Sequence, residues 1–232
     1  WFVTLTYDDD EIPENGSVVP AHLKSFVKSV RRDYPAGSVS YFGVGEYGAQ
    51  TRRPHYHTVL FGVDFLDRYL HCERSTGSVW RARSLERYWR RGITEFSAVT
   101  MASACYVAGY VQKKAESHDR PDYYARVDPR TGELVELHPE FARMSLRPAI
   151  GRRWIEAYWK DVYPRDFVVV DGRECKPPRY YDKWMDAHYP EVMYDVRVRR
   201  LENAVELPAA KLEAKKKIHE ARNSMFNSGG VF

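Results

Sequence analysis

His55 and His57 stand one residue apart in Arg53-Pro54-His55-Tyr56-His57, inside an apolar run that continues through Thr58-Val59-Leu60-Phe61-Gly62. Side chains at i and i+2 of a strand share a face, so this run sets two imidazoles side by side and turns Tyr56 the other way. Neutral imidazoles offer two nitrogen ligands to a divalent metal; a carboxylate is the expected third, with positions left for substrate oxygens. Glu46 is the candidate, because it ends the preceding predicted strand and a short connection brings it beside the pair. Downstream, Tyr106 and Tyr110 occupy a helical segment. Four residues of helix advance about 6 Å and about 40° around the axis, so either phenol reaches one site. A free phenol with a pKa of about 10 is a poor nucleophile, but a metal-polarised phosphate and a nearby cation both lower the barrier to attack. Lys113 and Lys114 follow Tyr110 by three and four residues, and spacing does not choose between them. An aryl oxide is also a good leaving group, so a phosphotyrosine would keep the energy of a broken phosphodiester for later rejoining. The chemistry these residues point to is the cutting of DNA.

The elements that must position them follow from local pattern. Residues 1–7 alternate apolar residues with threonine and read as a strand, followed by a turn-rich loop over 8–16. After Pro20, the residues Leu23, Phe26, Val27, Val30 and Tyr34 recur at helical spacing with Lys24, Lys28 and Arg31 opposite, an amphipathic helix suited to cover a sheet. Residues 39–46 form the strand that ends at Glu46. Ser84 is expected to cap a helix over 85–91 with Gly92 as its stop, and residues 93–98 a further strand. Thr100 is placed to cap the tyrosine-bearing helix. Gly109 inside that helix costs about 1 kcal/mol relative to alanine, which points to a close approach of a backbone, a side chain or DNA. This order predicts an α+β sandwich, helices covering a mainly antiparallel sheet, with its core in residues 1–116. Residues 117–232 are expected to form a mainly helical extension that packs on the core and contributes to DNA binding. It carries turn signals at Asp128-Pro129 and Thr131-Gly132, a basic loop over 145–153, a helix over 154–159 and a hairpin over 167–176 turning at Asp171-Gly172. Pro190 and Pro208 interrupt the last helical stretches. The final helix, over 209–222, has only a thin apolar stripe through Leu212 and Ile218 and is expected to be exposed or to pack on a partner.

The chain has 232 residues, 44% hydrophobic and 14% aromatic, enough for a substantial core and incompatible with a disordered protein. Its net charge is only +4, yet its cations are grouped, which favours a polyanionic partner. Arg52, Arg53, Arg81, Arg87 and Arg90 with Trp80 and Trp89 combine cations and stacking surfaces as single-strand binding requires; Arg147, Arg152 and Arg153 add a basic loop. Cys72, Cys105 and Cys175 are widely spaced, supporting neither a disulfide framework nor a cysteine zinc site, and fit a reducing cytoplasm. No apolar run approaches the roughly 20 residues of a membrane helix. The first residue is Trp1 and a strand begins at once, so the native chain is expected to start earlier.

Phe2-Val3-Thr4-Leu5-Thr6-Tyr7, Arg53-Pro54-His55-Tyr56-His57 and the run from Tyr106 to Lys114 resemble, in order, the three motifs of the HUH endonucleases that initiate rolling-circle replication. Gly45-Glu46-Tyr47-Gly48 and Pro178-Arg179-Tyr180-Tyr181-Asp182-Lys183-Trp184 extend the resemblance toward the replication initiators of small single-stranded DNA phages, the Microviridae and the gokushoviruses in particular. The resemblance implies a five-stranded antiparallel sheet flanked by helices, with the histidine pair on a central strand. It implies a nickase that uses Mg²⁺ or Mn²⁺ held by Glu46, His55 and His57. Such an enzyme leaves a 5′-phosphotyrosine and a free 3′-hydroxyl, and rejoins origin DNA after a round of synthesis. Tyr106 and Tyr110 match the two-tyrosine branch, supported by Lys113 or Lys114. The implied partners are single-stranded origin DNA, supercoiled replicative-form DNA and a host helicase and DNA polymerase, in the cytoplasm of a bacterial host. Ser145-Leu146-Arg147-Pro148-Ala149-Ile150-Gly151 resembles a Gly-rich segment of the family, but Ala149 stands where glycine is expected, so no phosphate nest is assigned there. Three other readings use the same residues: a relaxase or transposase of the same superfamily, a silent nucleic-acid binding module, and a zinc hydrolase that needs no tyrosine.

Overall fold

In Phe2–Thr6 (β1), Val3 and Leu5 are fully buried while Phe2, Thr4 and Thr6 are half-buried, the period-two pattern of a strand between two unlike faces. The computed structural model describes residues 1–117, 123–127, 131–204 and 208–228, with backbone alone at 110–117, 209 and 222–228. It divides into two compact units, one built on Trp1–Arg147 and the other on Pro148–Ser224.

In the first unit β1 is followed by α1 (Pro20–Arg32), β2 (Ser40–Tyr47), β3 (Pro54–Phe61), β4 (Arg68–Arg74), β5 (Gly77–Ala82), α2 (Arg83–Trp89), β6 (Thr94–Ser97) and α3 (Met101–Ser117). Three short strands come next: β7 (Ala125–Val127), β8 (Leu134–Glu136) and β9 (Phe141–Met144). β7 and β8 pair only with each other; the rest form one antiparallel sheet in the order β4-β5-β6-β1-β3-β2-β9. The α+β expectation holds, but the sheet has seven strands where the resemblance implied five. The additions the sequence did not announce are the β4–β5 hairpin and β9. β4 is exposed along nearly its whole length, so it lacks the alternation that marks a half-buried strand. β9 lies well beyond residue 116, and it reaches the sheet only because a distant segment returns to pair with β2.

The two sheet faces carry different layers. On one, Val3, Leu5, Tyr56 and Leu60 pack with Leu23, Phe26, Val27 and Val30 of α1 and with Leu85 and Trp89 of α2. Each such side chain contributes about 1.5–3 kcal/mol on full burial, so this face anchors the unit. On the other, Val44, Val59 and Val107 form a smaller cluster with Phe2, Phe42 and Tyr106 beneath α3. The expected cap of α3 is present: Thr100 Oγ1 accepts from the Ser103 backbone N–H at 3.1 Å, and Ser103 Oγ accepts from that of Thr100 at 2.9 Å. The expected cap of α2 is not. Ala82 takes the cap position, and Ser84 turns its N–H and hydroxyl to the Asp67 carboxylate instead. Gly109 has open space where a Cβ would stand, so no described group makes the close approach its presence suggested.

The second unit contains α4 (Arg152–Val162), the hairpin β10 (Val168–Val170) and β11 (Arg173–Cys175), α5 (Arg179–His188) and α6 (Pro190–Glu202), followed by α7 (Ala209–Ser228). Its own core is Ile155, Val162, Tyr163, Met185 and Val196. The hairpin turns at Asp171 and Gly172, both at positive φ (49° and 73°), as a tight two-residue connection requires. Leu212 and Ile218 on α7 are exposed. Asp128 and Pro129 lie outside the described residues.

Candidate active site

Strand register assembles the site. β3 lies between β1 and β2, with Glu46 opposite His55 and Val44 opposite His57 on one side, and Thr4 opposite His57 on the other. Facing residues of an antiparallel pair share a sheet face, so Glu46, His55, His57 and Thr4 all project toward the α3 layer. Tyr56 projects to the other side, where its hydroxyl pairs with Tyr7 Oη and the Val19 backbone.

Glu46 is the centre of the cluster. It is only 2% exposed, and its Oε1 lies 2.7 Å from His55 Nε2 and 2.9 Å from His57 Nε2. The same oxygen accepts a hydrogen bond from the Tyr106 hydroxyl at 3.1 Å. Oε2 is buried and makes no hydrogen bond. Burial raises the Glu46 pKa, but the hydrogen bonds and charges of His55 and His57 outweigh it and hold the carboxyl down at about 2. His55 responds in the opposite sense: burial lowers its pKa, and the Glu46 hydrogen bond and charge raise it above the ordinary value. Its Nδ1 donates to the Arg53 carbonyl at 3.1 Å, which leaves Nε2 directed at Glu46. His57 Nδ1 meets Thr4 Oγ1 at 3.1 Å, and its ring stacks on Phe2. Each imidazole is therefore oriented by a partner at the nitrogen facing away from the site, the arrangement that fixes metal-ligating histidines.

Among the described residues, Glu46, His55 and His57 are the one group able to converge on a metal ion, with donor atoms all within 4.8 Å of one another. The orphaned Glu46 Oε2 and the two imidazoles fit a divalent cation in chemistry as well as in place, the cation taking over from the protons now shared with Glu46. Tyr106 reaches the cluster from α3, its ring 5.5 Å from that of His57. Burial, then the charge of Glu46, raises its pKa well above the ordinary tyrosine value, so the side chain rests as the phenol. Tyr110, Lys113 and Lys114 lie on the same helix, but their side chains fall outside the described residues.

The expected DNA contacts do not gather in one place. Arg81 reaches Glu95 on the site face at 3.3 Å, whereas its neighbour Trp80, one residue away on β5, packs against the main core on the opposite face. Trp89 is core, its indole donating to the Thr6 carbonyl at 2.9 Å. Arg53 is engaged by Asp9 and by the Tyr7 carbonyl, and Arg52 by the Tyr123 carbonyl and ring. Arg87 and Arg90 sit at the end of α2, where Arg90 bonds the Arg87 carbonyl. Arg147 belongs to the first unit, and Arg152 and Arg153 to the second, where Arg152 pairs with Glu156. Two residues that the sequence reading passed over belong to the site: Thr4, within a quoted motif but given no role, and Glu95, opposite Thr4 on β6 and paired with His71, Arg74 and Arg81. Thr4, Glu95, His57 and Tyr106 line one cleft. The alternation of β1 was the signal for Thr4.

Residues 1–115 match the family described as Replication-associated protein ORF2/gene-2 protein. The chain is 31% identical over 209 residues to Replication-associated protein VP4 of Bdellovibrio phage phiMH2K, covering 85% of this chain and 62% of that protein. It is 29% identical over 207 residues to Replication-associated protein ORF2 of Spiroplasma virus 4, covering 84% and 60%. Over 185 residues it is 36% identical to Replication-associated protein ORF4 of Chlamydia phage 1, covering 76% and 43%. The chain thus spans about three fifths of the length of the first two relatives and less than half of the third. No solved structure matches it. The matched segment holds the whole cluster of Glu46, His55, His57 and Tyr106, and through it the chain belongs to this ORF2 family of replication-associated proteins.

Proposed function

We propose that the chain is the nicking and joining unit of a phage replication initiator, an HUH-type endonuclease acting on single-stranded DNA at a replication origin. The observation that carries this reading is the convergence of Tyr106 on a carboxylate and two imidazoles suited to one divalent cation. A nitrogen- and oxygen-donor set of this kind favours Mn²⁺ over Mg²⁺ in affinity, with availability setting which is used. When bound, the cation would polarise a non-bridging phosphate oxygen and offset the Glu46 charge that keeps the phenol protonated.

The remaining steps belong to the chain. α3 holds Tyr106 against the cluster; Thr4 and the Arg53 carbonyl hold the imidazole rings in place. Tyr106 Oη attacks the scissile phosphorus, the bond from phosphorus to O3′ breaks, and a 5′-phosphotyrosine remains on the protein. The phenol gives up one proton and the departing O3′ gains one, so the proton count is unchanged. Attack by a 3′-hydroxyl on the phosphotyrosine reverses the step and rejoins the strand. Tyr110 is the second nucleophile of this reading, and Lys113 or Lys114 the cation beside the phosphate. The free 3′-hydroxyl would prime a host polymerase, with a host helicase opening supercoiled replicative-form DNA, in the cytoplasm of the bacterial host. Among the described residues, no helix is long and apolar enough to cross a membrane.

The test incubates labelled single-stranded oligonucleotides tiled across the source genome with protein and Mn²⁺, then resolves covalent adducts on a denaturing gel. Wild type is expected to form a metal-dependent adduct, and Tyr106→Phe/Tyr110→Phe to form none. Cleavage that survives in the double variant without an adduct would indicate a hydrolase, and DNA binding without cleavage a silent binding module.

A further inference from the structure

On the face of the sheet opposite the candidate site, α1 and the β2–β9 edge enclose a groove of about 620 Å³ that the nicking chemistry leaves unused. Lys24, Lys28 and Arg31 line it from α1, at the i, i+4 and i+7 positions that share one helix face. Arg143 lines it from β9, where it is paired with Gly43; a side chain added at Gly43 would meet Leu23 of α1, which fixes Arg143 on the α1 side of the sheet. Tyr41 forms part of the wall.

The charge here is not compensated. No acidic residue lines the groove, and Lys24, Lys28 and Arg143 form no ion pair among the described residues. Arg31 is held in place by neutral acceptors only, the Val39 carbonyl at 3.2 Å and Ser145 Oγ at 3.0 Å, with its guanidinium over the Tyr41 ring. Several of the arginines expected to bind DNA are instead tied to carboxylates: Arg53 to Asp9, Arg81 to Glu95 and Arg152 to Glu156. Four cations around a groove with no counter-charge form a surface that repels itself unless a polyanion occupies it.

We propose that this groove binds the phosphate backbone of a nucleic-acid strand, without reading sequence and at a distance from the cut. The proposal rests on the DNA-processing reading above and adds a second contact to it. The groove holds the strand by counterion release, while the opposite face carries out the chemistry.

The test uses the full chain and a dT oligomer of about 30 nucleotides, longer than the ~4–16 nucleotides one small binding surface spans. Its dissociation constant is measured across a NaCl series for wild type, for Lys24→Ala/Lys28→Ala/Arg143→Ala, and for Lys215→Ala/Lys216→Ala/Lys217→Ala on α7. All six substituted residues are exposed, and the two variants lose equal charge. The groove variant is expected to bind about tenfold more weakly at low salt, with a log–log salt slope shallower by about 2, the loss of three phosphate contacts at ~0.7 each. The α7 variant is expected to stay near wild type, and the groove variant to keep forming the tyrosine adduct on a short cleavable oligonucleotide. Equal affinity and slope in wild type and groove variant overturn the proposal. So does an equal loss in the two variants, which would reduce the effect to net charge, and so does a wild type that leaves dT unbound. An adduct formed by wild type in any of those cases leaves the nicking reading standing and removes the groove alone.

Discussion

Glu46 Oε1 receives hydrogen bonds from His55, His57 and Tyr106, while Oε2, equally buried, receives none. A carboxylate with one crowded and one orphaned oxygen is the feature by which the cluster can be tested residue by residue. A cation that binds the folded chain stabilises it by RT ln(1 + [L]/Kd), about 2.7 kcal/mol at a hundredfold excess over Kd. Added Mn²⁺ is therefore expected to raise the melting temperature of wild type, and Glu46→Gln to abolish that rise; an undiminished rise in the variant would place the cation elsewhere. Thr4 is a positioning residue. Thr4→Val keeps the shape but removes the oxygen facing His57 Nδ1, and loss of such an orienting partner lowers metal affinity or activity by about 10–100-fold. Mn²⁺ titration followed by melting should show the weaker affinity, with Thr4→Ser restoring it; a merely structural threonine would leave the Mn²⁺ midpoint unmoved. The histidines were legible in the chain because a period of two needs no tertiary information. Thr4 was not, because one polar residue in an alternating strand looks like any other solvent-facing threonine.

At the scale of elements, the site depends on β2 and β3 keeping their register, and Gly45 is where that register is most constrained. A Cβ at Gly45 would stand 2.6 Å from the Phe141 ring and 3.1 Å from that of Tyr56, both buried. Neither ring has room to withdraw, so Gly45→Ala is expected to cost about 1–3 kcal/mol by overpacking. Because Glu46 is the next residue, the same substitution should also weaken Mn²⁺ binding. Chemical denaturation with and without Mn²⁺ checks both effects, and a neutral Gly45→Ala would mean the strands yield there. The β1, β2, β3 and β6 strands and the α1 and α3 helices were readable from periodicity and turn residues. The β4–β5 hairpin and β9 were not, since an exposed edge strand carries no burial pattern and a short strand such as β9 is defined by its partner.

Over the whole molecule, each unit has its own core, and the second is pinned by a charged network as well as by packing. Arg200 bridges Asp166 at 2.6 Å and Asp182 at 2.8 Å, and the Tyr163 hydroxyl also donates to Asp182. Burial raises the Asp182 pKa, but hydrogen bonds from Arg200 and Tyr163 outweigh it and leave it below the ordinary 3.8. A carboxyl depressed in the folded state adds stability that is fully present above its unfolded pKa and is lost as pH falls through its folded value. Asp182→Asn is expected to cost about 1.5–3 kcal/mol at neutral pH, the worth of hydrogen bonds to a charged group. The gap between wild type and variant should narrow once the pH drops below about 4; denaturant titrations at neutral and acid pH measure it, and a pH-independent gap would discount the network. The sequence by itself determined the metal-ligand histidines, the amphipathic helices and the tyrosine-bearing helix, because period and spacing are local properties of a chain. Only the tertiary structure decided that Glu46 faces His55, that Tyr106 meets Glu46, that Trp80 and Arg81 part to opposite faces, and that Arg143 joins Lys24 and Lys28. Those are contacts between segments far apart in sequence, fixed by strand register and by which face each strand turns to the core, and no local pattern encodes them.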